Sequence, residues 1–491
     1  MEESELNRIV KIANMKPRGI AIFGPSMKRG FYWIKSLINL NYDGAILPIH
    51  PKLHAAVGIH CYKTLNDVPE SIPVDYAIIA VPKHLVPEVL DQCIARRINM
   101  VQIFTSGYSE HDPVEGKRAE QELLDLLEKR HKETGHRLRI IGPNCIGIYS
   151  PKFGMGFRSD LSTEYGKIGV ISQSGGLAIN IALRGKMLGV RFSKVVSIGN
   201  AIDMKPADFI KILNNDPATK CIGCYFEALS KDVEGGRRLL ENIRETVKEK
   251  PVIIWRGGKT ERGSIAASSH TGALKTSDKM WNAFVRQSGV IPVDSFEEFM
   301  DTLLAYQTIK LAGGKNIALI SISGGSAVTA TDDIIEEGLN IPALTEETQA
   351  QIMKRVAQKV GVSAKNPIDL GASYYGFSLI AHTILDVCKD ENVDILFMEI
   401  SAHYVYNATI MAFKDFPKLY FDEVLKALKK AKRDFKKPVF VIMPDIAYES
   451  ETITDRHFFM DNNIPVFPTV RRAAKVVRNL ERYKEYINKE A

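Results

Sequence analysis

Two stretches of this chain end an apolar run in the same way, and that repetition limits the folds open to it. Lys167-Ile-Gly-Val-Ile-Ser172-Gln-Ser174-Gly-Gly176 and Lys315-Asn-Ile-Ala-Leu-Ile-Ser321-Ile-Ser323-Gly324-Gly325 each read as a short strand running into serines and glycines. Two further pairs follow in the same order. Ile222-Gly-Cys-Tyr-Phe-Glu227 matches Asp394-Ile-Leu-Phe-Met-Glu399, and Lys250-Pro-Val-Ile-Ile-Trp255 matches Lys437-Pro-Val-Phe-Val-Ile-Met443. Ordered matches of this kind mark a duplicated unit. The second copy carries Pro444-Asp-Ile-Ala-Tyr448 where the first has a polar, histidine-bearing stretch, so only one copy keeps reactive chemistry.

Upstream, Gly19-Ile-Ala-Ile-Phe-Gly24, Ala45-Ile-Leu-Pro-Ile49, Tyr76-Ala-Ile-Ile-Ala-Val81, Met100-Val-Gln-Ile-Phe-Thr105 and Arg139-Ile-Ile-Gly142 read as strands. Helical patterns at 83–94 and 113–134 lie between them. Alternating strand and helix predict a parallel sheet with helices on both faces, whose ligands bind at the carboxyl ends of the strands. At 491 residues the chain exceeds a single core. Three α/β domains are predicted, at 1–148, 149–308 and 309–491, with the basic amphipathic tail from Val470 packing on the third.

The net charge of +7 is spread over the whole length, with no arginine-rich arm and no basic–aromatic repeat. Nucleic-acid binding is therefore not implied, whereas a groove for phosphorylated ligands suits the mild basicity. No apolar run is long enough to span a bilayer, and Met1-Glu-Glu-Ser-Glu-Leu6 lacks a signal core, so a cytoplasmic location is expected. The six cysteines are scattered. Cys221 and Cys224 fall in a strand, where residues three apart face opposite ways, so buried thiols are expected and no metal site.

Several turns invite phosphate. Ser172-Gln173-Ser174-Gly175-Gly176 opens directly into a predicted helix, whose unpaired N–H groups and partial positive charge favour an anion, although an N-cap with flexible glycines needs no ligand. Gly24-Pro-Ser26-Met-Lys-Arg-Gly30 has the same character, but bulky Phe31, Tyr32 and Trp33 follow, so it is not a clean dinucleotide fingerprint. Lys52, after the second strand, favours a phosphorylated nucleotide over the free ribose hydroxyls of NAD. Asn200, Glu227 and the stretch from Trp255 to Leu274 should reach the same sheet edge as Ser172. That stretch reads as a polar loop ending in Ser268-Ser269-His270-Thr271-Gly272. Its imidazole could serve as general base, metal ligand or covalent nucleophile, or lie idle on the surface.

Gly142-Pro-Asn-Cys-Ile-Gly147, Ser172-Gln-Ser-Gly-Gly176, Val196-Ser-Ile-Gly-Asn200, Asp216-Pro-Ala-Thr-Lys220, Ala267-Ser-Ser-His-Thr-Gly272 and Asn366-Pro-Ile-Asp-Leu370 occur here in one order. In these motifs, from about residue 17 to 480, the chain resembles the NDP-forming acyl-CoA synthetases. That family includes the ADP-forming acetate–CoA ligases and is related to the alpha subunit of succinate–CoA ligase. The resemblance implies a Rossmann-like CoA-binding domain followed by two flavodoxin-like ligase domains. It implies His270 as the phosphoryl carrier and Glu227 as the residue orienting its ring. Ser172, Gln173, Ser174, Gly175 and Gly176, with Ser269, Thr271 and Gly272, would then hold phosphate. Gly24, Ser26, Lys52, Val81, Pro82, Ser106 and Asn144 would contact coenzyme A.

No ATP-grasp segment is found in the chain. The resemblance therefore places ADP or ATP and Mg2+ on a separate beta-type subunit, with an α2β2 assembly expected. The activity implied is that of an acid–thiol ligase. The alternative is a non-catalytic CoA-binding or regulatory protein of the same fold, motivated by Trp33 and the missing nucleotide domain. An NAD(P)-linked oxidoreductase rests on the first glycine turn alone.

Overall fold

The computed structural model describes residues 3–229, 233–271, 277–309, 313–357, 359–408 and 413–490, with the backbone alone for 3, 4, 6, 268–271, 408 and 490. The chain divides into two compact units, Met1–Phe299 and Met300–Ala491. The first unit holds two large sheets and a small two-stranded ribbon. One large sheet is all parallel, in the order Ala45–Ile49, Gly19–Phe23, Tyr76–Ile79, Met100–Ile103, Arg139–Ile141. The other runs Ile291–Val293, Val252–Arg256, Cys221–Phe226, Ile168–Ser172, Phe192–Ser197, and adds Gly147–Tyr149 antiparallel at its edge. In the second unit the order is Ile368–Asp369, Ile317–Ser321, Ile395–Glu399, Val439–Ile442, Val466–Phe467.

Counted in chain order within each sheet, the parallel strands run 2-1-3-4-5 in all three cases. The order reverses between the first and third strands, and ligands of such sheets bind in the crevice at that point. The α/β fold class expected from the alternation is thus what the chain adopts. The two stretches matched in the sequence share this strand order with each other and with the first sheet.

Central strands are apolar on both faces because helices cover both: Val252, Ile253 and Ile254 are all fully buried, as are Ile317, Ala318, Leu319 and Ile320. The helices are bounded by local chemistry. Ser174, Ser277, Ser323 and Thr345 each cap a helix start by accepting a backbone N–H three residues on. Gly189 and Gly289 end helices in the left-handed region. The final helix, Val470–Glu490, buries Ala473, Ala474, Val476, Val477 and Leu480 in the core of the second unit. All six cysteines are buried and unpaired, with burial raising the thiols of Cys221 and Cys224.

One sequence expectation changes. The polar stretch before His270 is not a loop: a helix occupies Glu261–Thr271. Its first turn is closed by Thr260, whose Oγ1 accepts Gly263 N–H (3.1 Å) and whose carbonyl accepts Ser264 N–H (2.8 Å), and Ala266 and Ala267 then favour helix. Asn366-Pro-Ile-Asp369, one of the ordered motifs, supplies the edge strand Ile368–Asp369. The Asn366 carboxamide extends the pairing there, accepting Leu319 N–H at 3.0 Å and donating to Ile317 O at 2.8 Å.

Candidate active site

A cleft of about 830 Å3 opens where the strand order of the first sheet reverses. Gly24, Ser26, Val81, Pro82, Ser106 and Asn144 line it, so six of the seven residues assigned to coenzyme A come together. The seventh, Lys52, is exposed and absent from the wall, and its backbone N–H donates to His50 Nδ1 at 3.1 Å. Gly24 sits at φ 80°, and a Cβ there would lie 2.7 Å from Ala80 O, so the turn depends on glycine. The bulky trio lines the cleft without filling it. Phe31 takes a left-handed backbone, φ 54°, which turns Trp33 inward until it is 7% exposed and edge-on to Phe104, 5.5 Å between centroids. The Arg29 guanidinium lies 5.6 Å over the Phe104 ring, and Lys83 Nζ donates to Gly107 O (2.7 Å). Neither cation was anticipated; both lie on the cleft wall.

Ile179 also lines this cleft, and it belongs to the helix Gly175–Leu188 of the second sheet. That helix begins at Ser174, whose side chain accepts Leu177 N–H (3.3 Å), while Ser172 Oγ donates to Ser174 O (2.7 Å). The turn therefore stands at the second sheet's reversal point, with a capped helix start beside it. Gln173 is committed elsewhere. Its Oε1 accepts the N–H groups of Glu227 (2.6 Å) and Ala228 (3.2 Å), its Nε2 donates to Ala228 O (2.9 Å), and its own N–H reaches Tyr225 O (3.1 Å).

Glu227 follows the strand Cys221–Phe226, and Tyr225 Oη donates to its Oε1 at 3.3 Å. Burial raises the Tyr225 hydroxyl pKa, with Glu227 adding to it, so the phenol stays a donor. Gly257, just after the neighbouring strand Val252–Arg256, leaves room for this pair: a Cβ there would lie 2.4 Å from Tyr225 Oη. Tyr225 was missed in the sequence although the signal was present, since residues two apart on a strand share a face. The next strand, Val252–Arg256, leads into the helix Glu261–Thr271, which carries Ser269, His270 and Thr271 in its last turn. Their side chains, and Gly272, lie outside the described residues.

Asn200 does not face this edge. It is buried, and its Nδ2 donates to Glu110 Oε2 (2.6 Å) and Glu120 Oε1 (2.7 Å). Burial pushes the Glu110 carboxyl up, but the bonds from Asn200 and from the Gly107 and Tyr108 backbone outweigh it and leave its pKa lowered. Asn200 thereby fastens the second sheet to the loop that follows the first sheet's fourth strand.

The duplicate site in the second unit makes an instructive contrast. Ser323 caps the helix Gly324–Glu336 as Ser174 caps its own. Glu399, the counterpart of Glu227, is drawn into that helix start: it accepts from Ser321 Oγ (2.5 Å) and Ser326 Oγ (2.7 Å), with Ile322 N–H at 3.4 Å.

A family model described as a CoA binding domain matches residues 18–151, and one described as a succinyl-CoA ligase-like flavodoxin domain matches 165–306. The chain is 32% identical to the alpha subunit of ADP-forming acetate–CoA ligase I from Pyrococcus furiosus, over 96% of this chain and 98% of that one. It is 28% identical to the ADP-forming 4-hydroxybutyrate–CoA ligase of Nitrosopumilus maritimus over 96% of its length, but spans only 64% of that longer protein. Among solved structures it is similar to the dinucleotide-forming acetyl-coenzyme A synthetase 1 of Ca. Korarchaeum cryptofilum in complex with phosphate and ADP. There the TM-score is 0.82 at 26% identity, covering 99% of this chain and 98% of the other.

Proposed function

We propose a function from the premise that this chain belongs to the ADP-forming acyl-CoA ligase family: it is the alpha-type part of an enzyme interconverting acyl-CoA, ADP and phosphate with free acid, ATP and CoA. The observation that carries this reading is the single wall shared by two reversal-point sites. Ile179 lines the cleft of the first sheet and rides on the helix that starts at Ser174. A thioester held in the cleft would meet inorganic phosphate at that helix start.

The bond changes balance over three steps. A phosphate oxygen attacks the acyl carbon, a C–O bond replaces the C–S bond, and CoA leaves as the thiol. The imidazole of His270 attacks phosphorus, an N–P bond replaces the P–O bond, and the carboxylate departs. The β-phosphate oxygen of ADP then takes the phosphoryl group and frees the ring. A neutral imidazole is nucleophilic near neutral pH, and a carboxylate on its other nitrogen fixes the tautomer, the role assigned to Glu227. Phosphohistidine carries about two negative charges, which a helix N-terminus opposes. Most of the catalysis is thus positioning and charge stabilisation.

The cleft fits a CoA-sized ligand: it holds about 830 Å3, is floored by a glycine turn and has Arg29 and Lys83 on its wall. Nucleotide and Mg2+ are assigned to an ATP-grasp beta-type subunit, in an α2β2 assembly. The relatives named as alpha subunits support the pairing. Acetyl-CoA with labelled inorganic phosphate should place acid-labile, base-stable label on the chain, and His270→Ala should abolish it. Undiminished label in that variant would overturn the assignment.

A further inference from the structure

Which way the Glu227 carboxylate points is decided by its neighbours, and the duplicated unit shows the other outcome. Glu399 occupies the equivalent strand end and turns into its own helix start, held by Ser321 and Ser326. Three aligned positions differ around the two carboxylates. Ser326 corresponds to Leu177, which has no hydroxyl to offer; Ile322 corresponds to Gln173; Phe397 corresponds to Tyr225. In the first copy, Gln173 grips the backbone of Glu227 and Ala228 through both ends of its carboxamide, and the Tyr225 hydroxyl takes hold of Oε1.

The geometry points to Tyr225 and Gln173 as positioning residues: together they hold the Glu227 carboxylate, and the main chain that bears it, in place for the reacting ring. This deepens the function proposed above and rests on it. Tyr225 fixes the carboxylate oxygen. Its ring is itself fixed by Trp255, 4.8 Å between centroids, and Gly257 keeps its hydroxyl clear. Gln173 fixes the main chain from which the carboxylate springs. Because the carbonyl and amide of Gln173 are both used, glutamate in its place would lose the donor and set a charge against the Ala228 carbonyl.

Tyr225→Phe tests the idea, because it deletes one hydroxyl, keeps the ring against Trp255 and reproduces the residue found at position 397. The readout is the initial rate of acid-labile label on the intact chain, with acetyl-CoA and labelled inorganic phosphate, as a function of pH. A hydrogen bond to a charged group lost from the carboxylate that orients the ring should slow labelling about tenfold at saturating acetyl-CoA. Half-saturation by acetyl-CoA should not move, since the cleft residues are untouched. The acid limb of the profile should shift to higher pH, because a carboxylate that loses a donor becomes more basic. In a Glu227→Gln background the tyrosine change should add nothing. Gln173→Glu should slow labelling with the same unchanged half-saturation.

Wild-type rate and an unmoved acid limb in Tyr225→Phe, or an effect that persists in full beside Glu227→Gln, would overturn the positioning role alone. A wild-type chain that takes no label, or His270→Ala that keeps it, would overturn the proposed function and this inference with it. A melting curve for each variant separates loss of fold from loss of position.

Discussion

Gln173 Oε1 accepts the backbone N–H of Glu227 at 2.6 Å, joining the first and third strands of the second sheet beyond their last ladder bonds. The contact spans the crevice where the strand order reverses, so a side chain expected to hold phosphate serves instead to fix the far wall of the site. Together with the Ala228 contacts it makes the two strand ends one rigid edge. A catalytic constellation gains from such support, because small misplacements of a reacting group are costly.

Ser174→Ala removes the cap of the helix Gly175–Leu188 and a hydroxyl from the turn. A loss of about 1 kcal/mol in stability is expected from the cap alone. Urea unfolding measures that loss, and the phosphate dependence of labelling should show a raised half-saturation.

Gly24→Ala places a Cβ against Ala80 O, at 2.7 Å, in a backbone with φ 80°. The strain should be on the order of 1–3 kcal/mol and should fall on the cleft. Calorimetric titration with CoA should show weakened binding while far-ultraviolet circular dichroism stays unchanged.

Lys194 Nζ and Asp216 Oδ2 lie 2.6 Å apart, each side chain 6% exposed. Burial raises the Asp216 carboxyl, but the Lys194 bond and charge outweigh it, so its pKa falls below the usual range. Lys194→Met would leave that buried carboxylate without its ion-pair partner, still accepting from the Thr219 hydroxyl and the Ala218 N–H, and should cost about 3 kcal/mol. Adding Asp216→Leu should recover a large part of it. Chemical unfolding of both variants at neutral pH checks the pair.

Asp455 behaves in the opposite way. Burial, with Glu451 adding to it and the Tyr406 hydroxyl opposing, raises its pKa to about 6. The folded state therefore binds its proton more tightly than the unfolded one. Its contribution is favourable below about pH 4, weakens as pH rises toward 6, and is a standing penalty above. Asp455→Asn should raise the melting temperature at pH 7.5 and leave it nearly unchanged at pH 4.

Much of this was legible in the sequence because parallel sheets covered on both faces leave near-continuous apolar runs, as at Ile317–Ser321 and Val252–Arg256. The serine-glycine turns were equally plain, since a helix start right after a strand needs a cap and small residues. What escaped was the direction of side chains. Asn200 could be placed at a strand end, but nothing local told that Glu110 and Glu120 would bury its amide. Gln173 read as a ligand contact because its partners lie 54 residues onward. The helix over Glu261–Thr271 was masked by its serines and glycine, which score poorly as helix formers until the Thr260 cap is counted.

Glu399 brings its own negative charge to the second unit's helix tip, on a tether one strand long. A covalently attached anion has an effective concentration that dissolved phosphate does not match, so competition at that tip is lost before it begins. Where the first unit has leucine, glutamine and tyrosine at these positions, the second has serine, isoleucine and phenylalanine, and its socket is plugged by its own glutamate.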